Sequence, residues 1–493
     1  MVVALFLVPL VSGVLAYFLR KGDGPRRALL VGVALAHSAM TAFAWVEPLP
    51  PMFRGWFALD ALGLLFLSIT SVLFLAVSAY SVGYLARERR VSHVYFEERT
   101  RFTNEPEAIF TSCLLLFLGA MTFVAVSHHF GLLWVGVEAT TLASAPMVYF
   151  HRHHRSLEAT WKYLLICSVG IALALLGNFL LAVAATGTSA QSHSLVVGTL
   201  VSSGASLRLP WLRAAFLFFL VGYGTKMGLA PLHTWLPDAH SESPSPVSAL
   251  LSGALLNCAF LALLRIYQVC LAAGAGAFCQ ELLRFFGLFS MAIAAVFILG
   301  QTDYKRMLAY SSVEHMGILA LGVGLNGLGA FGALFHSVNH SLTKAWLFLV
   351  AGNILAVYET KSIDQVRGLQ RTLPISGVLW LVGFLAITGS PPFGLFLSEL
   401  TILRAAIDQG HGVVAALYLA LLAVIFIGMA NLVLPMVQGP ASPTPGPSAE
   451  RRERLWATVP PAVLCLAVLG LGVYIPPTLN VLLHSAARLA GGP

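Results

Sequence analysis

The chain has 493 residues, of which 58% are hydrophobic and only 10% are charged. A soluble globular domain carries about a quarter of its residues as charged side chains. The composition therefore excludes a soluble enzyme, a disordered protein and a secreted disulfide scaffold, and it indicates a multi-pass membrane protein. The net charge of +8 comes from dispersed basic residues without a basic helix or zinc-finger spacing, so nucleic acid is not an expected partner.

Apolar runs of about 20 residues predict membrane-spanning helices. Fourteen such runs occur, at 2–19, 27–46, 57–83, 108–127, 130–150, 160–186, 212–232, 246–270, 282–300, 306–325, 329–357, 375–397, 411–437 and 457–477. The runs are continuous and lack the alternation of outer-membrane strands, so we expect an all-α polytopic fold. No basic residue precedes the first run, which we interpret as a span and not as a cleaved signal peptide.

The spans and the polar stretches between them predict five segments. These are 1–107 with spans 1–3 and a loop, 108–270 and 282–437 with five spans each, the Pro-rich linker 438–456, and 457–493 with the last span. We expect no long lateral helix after the last span, since about sixteen residues follow 477. No soluble domain is expected.

Lysine and arginine collect in the loops that follow odd-numbered spans. These residues are Arg20, Lys21, Arg26, Arg27, Arg87, Arg89, Arg90, Arg99, Arg101, Arg152, Arg155, Lys305, Arg306, Lys361, Arg367, Arg371, Arg451, Arg452 and Arg454. The main exceptions are Arg54, Arg208 and Arg213. Basic loops face the cytoplasm. We therefore expect the chain in the lipid bilayer of a prokaryotic inner membrane, with both termini outside.

Sequence motifs for cofactors are missing from the chain. No Gly-rich phosphate loop follows a strand, and the six cysteines form no C-x-x-C pair. We interpret the cysteines as small buried apolar residues. No cofactor or metal is expected in this chain, and a redox centre or an ATPase would belong to another subunit.

Two ionisable residues in the first half stand at membrane depth, where a charge costs about 2.5–3.5 kcal/mol on insertion scales. Glu138 lies inside the fifth span. It is a candidate proton relay, and the alternative is a protonated carboxyl that is hydrogen-bonded to Thr140, Thr141 or a neighbouring helix. Lys226 lies five residues before Pro231, which opens the seventh span by removing a backbone donor. Glu138 is its candidate partner.

Polar residues follow the break after Lys226, at the cytoplasmic end. They are His233, Asp238, His240 and Glu242. Two interpretations stay open: these groups deliver protons into the break, or they form a solvated loop.

The eleventh span carries His336, His340 and Lys344 at positions i, i+4 and i+8. This spacing places all three on one helical face, with steps of about 6 Å along the axis. The stripe suits stepwise proton transfer, since histidine titrates near neutral pH. Zinc binding is the rival interpretation, disfavoured because no third carboxylate or thiolate ligand is near in sequence and the next group is a lysine.

The twelfth span is interrupted by Gly389, Ser390, Pro391 and Pro392, and Glu399 follows. The interrupted seventh and twelfth spans lie five spans apart, an odd offset that inverts topology. Spans 4–8 and 9–13 are therefore predicted to be inverted repeats, with broken helices 7 and 12. Paired interrupted helices indicate a transport site near the bilayer midplane.

Five sequence motifs carry a resemblance to a known family. They are WVGVEATTLAS around Glu138, GYGTKMGLAPLHTWLPDAHSESPSPVSALLSG around Lys226, QTDYKRMLAYSSVEHMG at 301–317, HSVNHSLTKAWLFLVAG around Lys344 and TGSPPFGLFLSE at 388–399. With these motifs the chain resembles the antiporter-like subunits of complex I, Mrp cation/proton antiporters and group 4 membrane-bound hydrogenases, in particular the hydrogenase-4 component F type.

The resemblance implies a proton-translocating subunit that is driven by other membrane subunits and a peripheral redox or coupling module. It implies an ion pair between Glu138 and Lys226, and a terminal proton-transfer group at Glu399. Asn257 stands where the family usually has a lysine or histidine, and an asparagine cannot take up a proton. We expect the relay to pass by Asn257 to His336, His340 and Lys344.

Three other functions are alternatives to this one. The first is sodium–proton exchange in a Mrp-type assembly, with sodium as a second ion. The second is proton conduction in an energy-coupled bicarbonate uptake complex. The third is a membrane scaffold for a hydrogenase, in which the buried charges have no transport role.

Overall fold

The computed structural model describes residues 1–20, 22–88, 93–94, 101–186, 194–440 and 453–492. Several basic residues used to predict the orientation lie outside these ranges, namely Lys21, Arg89, Arg90, Arg99, Arg451 and Arg452. Most of the predicted linker 438–456 lies outside them too.

Helices make up most of the described chain. The first ten are α1 Val2–Phe18, α2 Asp23–Val46, α3 Ala61–Arg87, α4 Glu107–Val126, α5 Phe130–Val148, α6 His154–Ala185, α7 Val197–Ser202, α8 Leu209–Met227, α9 Trp235–Glu242 and α10 Ser245–Leu250. The next ten are α11 Leu256–Ala272, α12 Gly276–Leu299, α13 Tyr304–Leu325, α14 Leu328–Tyr358, α15 Leu369–Thr372, α16 Pro374–Ile387, α17 Gly394–Asp408, α18 Gly412–Gln438, α19 Leu455–Val473 and α20 Pro477–Leu489. A π-helical turn, Leu251–Leu255, joins α10 to α11.

The predicted all-α polytopic fold is confirmed. In the described ranges, eleven helices are long and apolar enough to cross a membrane, and Val2–Phe18 and Pro374–Ile387 are shorter apolar helices. The number of fourteen spans stays a prediction. One antiparallel hairpin, β1 His93–Val94 with β2 Arg101–Phe102, interrupts the helical pattern in the loop before α4.

Both predicted helix breaks are present in the structure. The seventh span, predicted as continuous over 212–232, ends as α8 at Met227, and Gly228 follows in the left-handed region with φ +87°. The chain becomes helical again at Trp235. In the twelfth span the helix stops at Ile387 and resumes at Gly394. The first break contains Pro231 and the second contains Pro391 and Pro392, and proline cannot donate a backbone hydrogen bond.

Helix contacts repeat between the two five-span segments. In the first, α4 packs on α5, α5 on α6, and α6 on α8 and α9, which lie on either side of the break. In the second, α12 packs on α13, α13 on α14, and α14 on α16 and α17, which lie on either side of the break. The same order of neighbours agrees with two copies of one five-helix unit. The exact segment boundaries stay predictions.

The centre of the bundle is formed by α10–α11, α13 and α14. In the most apolar 18-residue segment of α13 every residue is buried, whereas in that of the peripheral α18 only 28% of the residues are buried. A helix that is buried all round can carry polar side chains on any face without exposing them to lipid. The terminal helix α20 is one element that the sequence did not predict; it packs against α3 and α14 through Leu482, Leu483, Ala486 and Ala487.

Candidate functional site

Lys226 lies fully buried in the last turn of α8. Its ammonium donates hydrogen bonds to Thr141 Oγ1 at 2.8 Å and to the Tyr163 hydroxyl at 2.7 Å. The ammonium also lies 4.4 Å from the centroid of the Tyr163 ring, a cation–π distance. The Tyr163 hydroxyl in turn lies 2.7 Å from Ser144 Oγ, within hydrogen-bond distance. A charge at this depth is thus held by hydroxyl groups and an aromatic face.

Glu138 is half-buried on α5 and shares Thr141 with Lys226. Its carboxylate accepts from Thr141 Oγ1 at 3.3 Å and from Ser168 Oγ at 3.2 Å. The resemblance implies an ion pair between Glu138 and Lys226. In the structure the Thr141 hydroxyl bridges these two residues instead. Of the two threonines named above, Thr140 instead donates to Val137 O.

Asn257 connects the two halves of the molecule. It follows the π-helical turn at the start of α11, and its amide donates to Gly253 O at 2.9 Å and to Ser341 Oγ on α14 at 2.7 Å. Its Oδ1 is buried without a hydrogen-bond partner in the described part of the chain. Single π-helical turns inside α-helices often accompany functional sites.

The predicted stripe of His336, His340 and Lys344 lies on α14 and is fully buried. The rings of His336 and His340 are 6.4 Å apart and nearly parallel. Lys344 donates to Leu308 O at 2.6 Å and to Ser311 Oγ, both on α13. Both ring nitrogens of His340 lack a hydrogen-bond partner among the residues described. The stripe therefore faces α13 and does not form a hydrogen-bonded chain along α14.

Two titratable residues of α13 complete this region, and the sequence did not single them out. Nδ1 of His315 is 2.9 Å from Nε2 of His336, and the His315 ring centroid is 4.8 Å from that of His340. Glu314 is buried beside it, with Oε2 unpartnered within the described ranges. Both residues interrupt the apolar run 306–325, so the rule that marked Glu138 would also have found them.

Glu399 lies on α17, just beyond the second break, and is 6% exposed. Gly389 in the break has φ +65°, and a Cβ on it would collide with the Glu399 carboxylate. The preceding residue, Ser398, is 2.9 Å from His336 Nδ1 through its hydroxyl. Glycine is thus needed at 389 both for the backbone and for the carboxylate.

The groups after the first break divide into buried and surface residues. His233 and His240 are buried, and His240 stacks on Phe348 with both ring nitrogens unpartnered in the region that the structure describes. Asp238 is 20% exposed and pairs with Lys162 at 2.9 Å and Arg306 at 2.6 Å. His240 therefore fits a buried relay, whereas Asp238 belongs to a surface ion-pair cluster.

A cluster of polar contacts joins the end of α9 to the second half; it consists of Ser241, Glu242, Ser243, Lys305 and Lys361. Lys305 donates to the backbone oxygens of Ser241 and Ser243, at 3.1 and 2.6 Å. Lys361 pairs with Glu242 at 2.7 Å. Burial opposes ionisation of Glu242, yet the lysine contact holds its pKa below the usual 4.5. Both lysines thus meet the negative end of a helix.

One group of side chains in the described ranges has a metal-like ligand set. It consists of His315, His336 and Glu399, whose ligand atoms all lie within 4.8 Å of one another. Apart from this group, the side chains described above are hydroxyls, amides, imidazoles, carboxyls and ammonium groups on neighbouring central helices. The imidazoles, carboxyls and ammonium groups can accept and release protons over short distances, and the hydroxyls and amides supply hydrogen bonds between them.

The chain is similar to subunits of several membrane complexes. The family described as NADH:quinone oxidoreductase/Mrp antiporter, TM, matches residues 127–425. The "Hydrogenase-4 component F homolog" of Methylacidiphilum infernorum is 37% identical over 426 residues, 86% of each chain. "NADH-quinone oxidoreductase subunit N" of Thiobacillus denitrificans is 30% identical over 490 residues, covering 97% of this chain and 95% of that one.

A solved structure shares the fold over the whole length. In the Mrp complex from Dietzia sp. DQ12-45-1b, a chain that is 21% identical superposes with a TM-score of 0.83, covering 99% of this chain and 97% of that one. The family match spans more than half of the chain and includes Glu138, Lys226, Lys344 and Glu399. The chain therefore belongs to the NADH:quinone oxidoreductase/Mrp antiporter family of transmembrane subunits, and within it to the hydrogenase-4 component F type.

Proposed function

We propose that this chain is the proton-translocating, antiporter-like subunit of a redox-driven membrane complex. The observation that carries the proposal is the series of buried titratable side chains on adjoining central helices. It begins at Lys226 on α8, includes His340 and Lys344 on α14, and ends at Glu399 on α17. Charges at membrane depth are expensive and mark ion pathways. The hydrogenase-4 and complex I relatives support the same function.

Protons enter from the cytoplasm near the first break, where His233 and His240 are buried. They pass to Lys226, and then past Asn257 to the stripe on α14. Because asparagine does not titrate, Asn257 contributes only hydrogen bonds, and its bond to Ser341 supports this crossing between the halves. The protons leave through Glu399 at the second break.

A change at Glu138 gates the transfer. The carboxylate is half-buried on α5, and Thr141 links it to the fully buried ammonium of Lys226. A neighbouring subunit that moves this carboxylate alters how well the lysine charge is stabilised. The equilibrium between charged and neutral Lys226 then shifts with the state of the partner.

The remaining components lie in partner chains. We propose that other membrane subunits and a peripheral redox or coupling module surround this chain, which itself carries no redox cofactor. The solved relative is part of a Mrp complex, which supports a multi-subunit setting. We place the complex in the prokaryotic inner membrane, with both termini outside, from the distribution of basic residues.

The test replaces Glu138 by glutamine in the complete complex. Proton uptake into proteoliposomes during turnover is expected to be lost in Glu138→Gln, while subunit composition and electron transfer remain. Glu158→Gln is the matched control, because Glu158 is an exposed carboxylate on α6 that pairs with Lys162. Unchanged pumping in Glu138→Gln would contradict the proposed gate.

The other functions make different predictions in the same vesicles. If the chain is a scaffold without a transport role, the complex keeps its proton flux when Lys226 is replaced by methionine; if the chain conducts protons, the flux is lost. Sodium–proton exchange of the Mrp type requires an outward sodium gradient to drive proton uptake. A bicarbonate uptake complex requires proton flow to depend on its bicarbonate-handling partner.

A further inference from the structure

Three helices bring two imidazoles and one carboxylate together in the second half. His315 comes from α13, His336 from α14 and Glu399 from α17, with their ligand atoms all within 4.8 Å of one another. Two histidines and one glutamate, with a fourth position left open, form a common three-ligand zinc site. We propose that these three side chains bind a divalent transition-metal cation of the Zn²⁺ class.

The hydrogen bonds around His336 leave a nitrogen lone pair for such an ion. Ser398 Oγ donates its proton to Leu395 O at 2.8 Å, so it accepts from His336 Nδ1 at 2.9 Å. The neutral ring then has its lone pair on Nε2, which lies 2.9 Å from Nδ1 of His315. A partner that fixes one ring nitrogen is the usual arrangement behind a histidine that binds metal.

His315 can release the proton that now lies between the two rings. With the lone pair of His336 on Nε2, Nδ1 of His315 is the donor between the two rings, and Nε2 of His315 is buried without a hydrogen-bond partner among described residues. When the ion binds, the proton moves to Nε2, and Nδ1 becomes a ligand without net proton release. The two ligand nitrogens then separate from 2.9 Å to about 3.3 Å around a tetrahedral ion.

The Glu399 carboxylate also has an oxygen that is available to an ion. Glu399 Oε1 is buried and unpartnered in the described ranges, and a buried polar atom without a partner is costly unless water or an ion satisfies it. The sequence argued against a metal because Lys344 follows the two histidines on α14. In the structure its ammonium instead donates a hydrogen bond to Leu308 O on α13.

The binding test uses the full chain in detergent with Zn²⁺ and with Co²⁺ as probes. Titration calorimetry is expected to give one Zn²⁺ per chain, and bound Co²⁺ to give the absorption of a tetrahedral ion. His336→Gln and Glu399→Gln are each expected to weaken binding about 100-fold or more, and Ser398→Ala about 10- to 100-fold. His340→Gln is the matched control, one turn along α14, and should bind as the unmodified chain does.

Three results would overturn the site: no binding, equal binding in Glu399→Gln, or a loss in His340→Gln as large as in His336→Gln. X-ray absorption of the zinc-loaded unmodified chain avoids dependence on variants that fold poorly. It should show two imidazoles and an oxygen ligand, and a spectrum without imidazole would refute the assignment.

Inhibition of proton flux by Zn²⁺ rests additionally on the proposed function. Occupied histidines cannot relay protons, so flux in proteoliposomes is expected to fall with the same affinity as calorimetry gives. If zinc binds and flux is unchanged, the site stands and the path through His336 is wrong. If flux is absent without zinc, the proposed function fails while the binding result stands.

Discussion

Replacing Thr141 by valine removes one hydroxyl at the point where Glu138 and Lys226 meet. That hydroxyl accepts from the lysine at 2.8 Å and donates to the carboxylate at 3.3 Å. Valine has nearly the same volume as threonine, so the change leaves little cavity and mainly deletes the polar bridge. If the gate works through this bridge, communication between the two charges is lost while the fold is kept.

The expected magnitude follows from the two contacts. Hydrogen bonds to charged groups contribute about 1.5–3 kcal/mol, and the shorter contact, to the buried ammonium, carries most of this. Tyr163 remains as a partner at 2.7 Å, so Lys226 keeps one acceptor. Since about 1.4 kcal/mol corresponds to a factor of ten, we expect proton flux in Thr141→Val to fall about 10- to 100-fold.

The assay uses the purified complex in proteoliposomes with a pH-sensitive dye inside and a potassium diffusion potential set by valinomycin. Thr141→Ser retains the hydroxyl and should restore most of the flux. Thr140→Val is the matched control, because the Thr140 hydroxyl turns to Val137 O on the same helix. Flux in Thr141→Val equal to that of the unmodified complex would refute the bridge, as would an equal loss in Thr141→Ser.

Two further changes test other parts of the chain. Gly389→Ala should cost about 1–2 kcal/mol through its left-handed backbone and also abolish flux by displacing the Glu399 carboxylate. Gly410→Ala, at φ +76° with no described atom within 4 Å of its Cβ, should lower the thermal midpoint similarly but keep the flux. Because the pKa of Glu242 is below 4.5 in the folded state, its pair with Lys361 stabilises the fold above that pH and is lost as pH falls through the folded value. Glu242→Gln should therefore lose about 3 kcal/mol of folding free energy at pH 7 and show a lower thermal midpoint of unfolding than the unmodified chain. The difference between the two midpoints should close below pH 4.5, and a difference that stays constant with pH would contradict this.

The helices and their breaks could be predicted because the bilayer imposes simple rules. A span needs about 20 apolar residues, and proline removes a backbone donor that hydrocarbon cannot replace. The breaks near Pro231 and Pro392 followed from this alone. The short helix α20 escaped because its 13 residues are amphipathic, with apolar side chains on the face toward α3 and α14, and no run of apolar residues marks it.

The candidate residues could be found individually, but their partners could not. Charge inside an apolar run marks Glu138, Lys226 and Lys344, and the structure buries or half-buries each of them. Their contacts depend on the rotation and height of neighbouring helices, which sequence periodicity within one helix does not contain. The Thr141 bridge arises from the packing of α5, α6 and α8, and the group of His315 and His336 arises where α13 meets α14.

The two breaks place their ionisable groups on opposite sides of the interruption, and each break accommodates its group in a different way. Lys226 is in the last turn of α8, before the first break, where the partial charge of the helix end is negative and stabilises the ammonium. Glu399 is in the second turn of α17, after the second break and beyond the first turn, in which the charge of a helix end acts. Its carboxylate instead occupies the space that Gly389 leaves in the break, where a Cβ would collide with it. The first break therefore stabilises a buried cation by its helix end, and the second makes room for a buried carboxyl by its glycine.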